Sequence, residues 1–112
     1  MSLIVPGAAD RAAVALYPTL QHLLDLRDGG WRFLPIEPGR DQLDGFRLWP
    51  GGWRDAIRLK SDSDALGLRL DPDNMITWEL SGTLAEVVHE LVLLPHPGDR
   101  LAPRLARGHG PN

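Results

Sequence analysis

Between Leu43 and Leu80 apolar and polar residues alternate one by one, the period of strands with one buried face. Four runs carry the pattern: Phe46 and Leu48; Ile57 and Leu59; Leu66, Leu68 and Leu70; and Ile76, Trp78 and Leu80. Turn-forming residues separate them at Gly51-Gly52, Asp62-Ser63 and Pro72-Asp73-Asn74. Taking each as a tight hairpin loop sets the register. Leu48 then faces Asp55 and Phe46 faces Ile57. Leu59 faces Leu66 and Ile57 faces Leu68. Leu70 faces Ile76 and Leu68 faces Trp78. Pro72 suits the first central position of a type I turn, and Asn74 tolerates the left-handed residue that follows it. Pro50 forfeits a closing hydrogen bond and counts against the two-residue Gly51-Gly52 loop. Trp31–Ile36 supplies a further strand, so the expectation is a five-stranded antiparallel meander with all its apolar runs on one side.

Helical spacing appears on both flanks. Leu16, Leu20, Leu23 and Leu24 form a stripe that begins after Asp10, a suitable N-cap, and is interrupted at Pro18. Gly29-Gly30 ends it, with Arg27 in the last turn. Thr83-Leu84-Ala85-Glu86 is a capping box. The helix it opens carries Leu84, Val87, Val88, Leu91 and Leu94 on one face and ends before Pro95. The predicted class is therefore α+β: an N-terminal helix, the meander and a C-terminal helix, both helices packed on one face of the sheet. Residues 1–9 read as a leader, 10–95 as one domain and 96–112 as a tail rich in Pro, Arg and Gly.

The parity of the meander also sorts its charges. Arg47, Trp49, Arg54, Arg58, Lys60 and Arg69 fall on the side opposite the apolar runs, with Glu79 as the main acid. In that register Trp49 sits across from Arg54, and Arg58 lies between Gly45 and Gly67. An arginine-rich face with one tryptophan suits a protein interface, where both residue types are enriched. Arg47, Trp49, Arg54, Arg58 and Arg69 are accordingly the candidate partner-binding residues. They suit an acidic protein surface or a second copy of the chain.

Composition narrows the alternatives. The 112 residues include no cysteine, which excludes thiol catalysis, disulfides and thiolate metal sites. Twelve basic against fifteen acidic residues give a net charge of −3, a weak match for a polyanion binder. The outward positions of the central strands also lack the stacking aromatics of single-strand readers. No apolar run reaches the eighteen or so residues of a membrane span, and no signal peptide is visible, so a cytoplasmic location is expected. Glu86 and His89 have the Glu-x-x-His spacing of di-iron helices but lack the second copy such sites require. Asp62, Asp64, Gly67 and Asp73 match parts of a calcium loop, yet they span two turns and a strand. No nucleophile elbow or phosphate loop occurs, so neither a catalytic set, a metal site nor a cofactor is expected. The pattern points to a non-enzymatic interaction module, such as an adaptor, inhibitor or immunity-type protein. A nucleic-acid binder using the same face and the tail arginines is the first alternative. A small-ligand binder or enzyme with a pocket between helices and sheet is the second.

Overall fold

A computed structural model describes residues 20–35, 38–39, 41–106 and 108–109. The expected leader and the expected helix start at Asp10, with its kink at Pro18, lie outside the described residues. Helix α1 (Leu20–Asp28) ends at Gly29-Gly30, where Gly30 takes φ 97° and the Trp31 amide donates to the Leu26 carbonyl. Strands β1 (Arg32–Phe33), β2 (Leu43–Leu48), β3 (Arg54–Ser61), β4 (Asp64–Leu70) and β5 (Met75–Gly82) follow. Helix α2 (Leu84–Leu93) comes next, and β6 (Gly108–His109) returns from the tail. Each strand pairs antiparallel with its neighbour in sequence, in the order β1 to β6. An α+β class with one antiparallel sheet is therefore correct. No helix among the described residues is long and apolar enough to cross a membrane.

The strand register differs from the expected one by a single residue at three places. Pro50, Gly51 and Gly52 form a three-residue turn closed by the Trp49 amide on the Trp53 carbonyl, so Leu48 faces Arg54 and Phe46 faces Ala56. The Asp62-Ser63 loop forms as expected, with Ser61 opposite Asp64. Lys60 then bulges, and Leu59 meets Ala65. The Pro72–Asn74 loop also forms as expected, with Asn74 at φ 63° and Leu70 opposite Ile76. Thr77 bulges in turn, and Arg69 meets Trp78. Each bulge spends one extra residue and flips every side chain beyond it.

The expected single apolar face is consequently divided in two. Ile57, Leu59, Trp78 and Leu80 stay on the helix side with Phe33 and Ala65. Phe46, Leu48, Leu66, Leu68, Leu70 and Ile76 take the opposite side, where Leu68 and Leu70 are nevertheless buried and Leu48 is 66% exposed. The two strand glycines explain why this arrangement packs. Gly67 faces α2, and a Cβ there would lie 2.9 Å from Val87 Cγ1 and 3.2 Å from the Trp78 ring. Gly45 faces the Phe33 ring, which a Cβ would approach to 2.7 Å. Only glycine permits such close approach. Thr83 caps α2 by accepting from the Glu86 amide while Glu86 accepts from the Thr83 amide. This fixes Leu84, Val87, Val88 and Leu91 toward the core. Leu26 of α1 and Trp31 join the same cluster, and α1 rests on α2.

Candidate functional site

The divided register also divides the predicted arginine face. Arg54 and Arg58 lie on the side away from α2, Arg58 between Asp44 and Leu66 and 3.7 Å from the Asp44 carboxylate. Arg54 donates to the Asn74 side chain. Arg47 and Arg69 occupy the helix side, in line with Asp55. Trp49 joins them there and not Arg54: the Arg47 guanidinium lies 4.2 Å from the Trp49 ring centroid. A single flat surface presenting Arg47, Trp49, Arg54, Arg58 and Arg69 together is therefore not formed, because the turn at Pro50 separates Arg47 from Arg54 and Arg58, and the bulge at Lys60 places Arg58 and Arg69 on opposite sides of the sheet.

What the structure assembles instead is a buried polar clamp. Arg69 has no exposed surface. Its Nε donates to Asp55 Oδ1 at 2.7 Å, one terminal nitrogen donates to Asp55 Oδ2 at 3.0 Å, and the other donates to the Pro95 carbonyl. Trp49 Nε1 donates to Asp55 Oδ2 at 2.8 Å. The His96 ring stands 5.8 Å from the Trp49 ring. The bidentate fork satisfies the guanidinium and the carboxylate mutually, and among the described residues no buried side-chain polar atom is left without a partner. The clamp ties β3, β4 and the Trp49 turn to the first residues after α2. With each nitrogen of Arg69 and both oxygens of Asp55 already partnered within the protein, it offers little to a ligand.

The surface that remains available is an open groove of about 780 Å³ beside α2. Trp78 and Leu80 from β5 and Ala85, Val88 and Val92 from α2 give it an apolar lining. His22 and Asp25 of α1, Glu79 of β5, and Glu86, His89 and Glu90 of α2 add polar groups. Four acidic residues thus border it, Glu79 from the face of β5 opposite Trp78 and Leu80, and among the described residues no Arg or Lys does. Asp25 accepts from Gln21, and Glu86 is used in the helix cap. Glu79 and Glu90 have no side-chain partner among the described residues. No group of three or more His, Asp or Glu side chains among the described residues is disposed to hold a metal ion.

Glu86 and His89 were legible in the sequence as a polar helix face. The set of residues lining the groove was not, because it depends on how α1, α2 and the edge of β5 come together in space. One signal was present: Ala85, Val88, His89 and Val92 stand at helical spacing beside the main stripe, which makes the apolar surface of α2 wider than one core contact needs. No family model, curated protein or solved structure matches the chain.

Proposed function

We propose that this chain is a non-enzymatic interaction module that receives a cationic partner segment in the groove beside α2. The observation that carries the reading is charge on an apolar floor. The carboxylates of Asp25, Glu86 and Glu90 stand around Trp78, Leu80 and Val88, Glu79 follows on the other face of the β5 edge, and among the described residues no Arg or Lys lines the groove; neither Glu79 nor Glu90 has a side-chain partner among the described residues. Apolar contact would provide affinity, and the carboxylates would provide selection and orientation. This reading takes both helices to share one side of the sheet, so that α1 and α2 flank the site. It reverses the sign of the partner expected from the arginine pattern, since those arginines are split between two faces and partly consumed in the clamp. The groove volume also suits a small amine-bearing molecule, which is the second reading.

A fluorescein-labelled peptide of alternating lysine and leucine tests the proposal by anisotropy, with a glutamate–leucine peptide as control. The lysine peptide should bind, the glutamate peptide should not, and salt should weaken the complex. Glu79→Gln with Glu90→Gln should reduce affinity by about tenfold while leaving the melting temperature unchanged, because neither carboxylate supports the fold. Equal affinity for both peptides, or an unaltered affinity in the double variant, refutes the reading. Binding of spermidine but not of the peptide would favour the small-molecule alternative.

A further inference from the structure

The groove is bordered by a strand edge with little pairing among the described residues. On one side β5 is paired with β4 from Ile76 to Gly82. On its other side, among the described residues, β6 pairs with Met75 and Ile76. The outward edge from Trp78 to Gly82 has no strand partner among the described residues. Five residues of strand span roughly 17 Å, room for a short extended segment. Their outward amides and carbonyls form a template for one more strand. The chain's own tail already uses the start of this edge, because β6 adds to it in antiparallel register.

We propose that the partner docks by β-strand addition, as an extended segment that pairs with the Trp78–Gly82 edge of β5 and alternates apolar with cationic residues. The inference rests on the reading of the groove as the docking site and specifies how it is occupied. An added strand keeps the parity of the one it joins. Its residues beside Trp78 and Leu80 enter the groove against Ala85 and Val88 of α2 and should be apolar. The intervening residues fall on the opposite side beside Glu79 and Ser81, where Glu79 calls for lysine or arginine. A second copy of the chain is a poor occupant of this edge. Pairing two β5 edges would bring together two sets of four carboxylates, and like charges across a strand pair are destabilising. A cationic segment encounters the reverse sign throughout.

Main-chain pairing has a signature that side-chain docking lacks. In an added strand only every other amide points at its neighbour. Two versions of the lysine–leucine peptide, N-methylated at all leucine amides or at all lysine amides, therefore separate the modes. One version should lose about tenfold or more in affinity through its missing strand bonds, and the other should stay within about twofold of the parent. Amide hydrogen exchange in the complex should slow at alternate residues between Trp78 and Gly82. If both methylated peptides bind like the parent and exchange along β5 is unchanged, strand addition is overturned and groove docking survives. If the unmethylated parent fails to bind, the underlying reading falls with it.

Discussion

The Arg69–Asp55 clamp gives the most quantitative prediction. Arg69 contributes three donated hydrogen bonds from a fully buried position, and Asp55 also receives Trp49 Nε1. Asp55→Ala leaves an uncompensated guanidinium in the interior and orphans the indole N–H. Arg69→Met leaves the carboxylate with only the indole and removes the donor to Pro95. Breaking one partner of such a pair costs about 3–5 kcal/mol. A domain of this size has a total stability of about 5–15 kcal/mol, so each variant should sit close to unfolding. Replacing both groups at once, as Asp55→Val with Arg69→Met, removes both charges together. The remaining penalties are the unpaired Trp49 N–H and Pro95 carbonyl, about 1–3 kcal/mol each if they stay dry.

The coupling energy follows from those figures. Two single losses of about 4 kcal/mol sum to about 8, against about 2–6 for the double variant, leaving about 2–6 kcal/mol of interaction. Urea denaturation at 25 °C, followed by tryptophan fluorescence, measures all four corners of the cycle. A double variant that loses the sum of the singles, or an Arg69→Met protein within about 1 kcal/mol of the parent, would show that the guanidinium is not buried against this carboxylate.

Two further stability effects follow from local geometry. Gly67→Ala places a methyl 2.9 Å from Val87 Cγ1 and 3.2 Å from the Trp78 ring, and should cost about 1–3 kcal/mol by forcing α2 off the sheet; thermal denaturation reads it directly. Thr83→Ala removes the hydroxyl that accepts from the Glu86 amide and should lower stability by about 1 kcal/mol, with the matching Thr83→Ser change close to neutral.

The sequence was informative wherever the cause of structure is local. The Thr83–Glu86 capping box, the stop at Gly29-Gly30, the Asp62-Ser63 loop and the left-handed Asn74 all depend on residues within a few positions of one another. The bulges at Lys60 and Thr77 do not, since neither residue has a turn preference that marks it. Their cause is tertiary. They bring Gly67 under Val87 and Arg69 against Asp55, whereas the polarity pattern sets Arg69 toward solvent and Asp55 apart from it, opposite Leu48. The strand glycines were the overlooked clue. Gly45 and Gly67 sit in the interior of strands, where glycine weakens a strand unless something approaches it closely. Placing both toward a packed layer gives the observed parity, and the arginine face could have been rejected from the sequence on that ground.

Deleting Lys60 decides between the two registers. In the observed structure Leu59 pairs with Ala65 and Ser61 with Asp64, and Lys60 is the one residue between them without a partner. Removing it converts the bulge into a regular two-residue hairpin. Leu59 stays opposite Ala65, and Ile57 stays opposite Gly67 under the helix side. The change should cost no more than about 1 kcal/mol, since it removes a local irregularity and an exposed side chain. In the bulge-free register, by contrast, the same deletion would reverse the parity of β3 against β4. Ile57 and Leu59 would turn into solvent together with everything upstream, at about 2–5 kcal/mol for each large residue expelled from the core. Urea denaturation of the deletion variant separates outcomes that differ by several kcal/mol. An unfolded or severely weakened protein would refute the bulge, and with it the placement of Arg69 in the clamp, because Asp55 meets Arg69 only with that count of residues between β3 and β4.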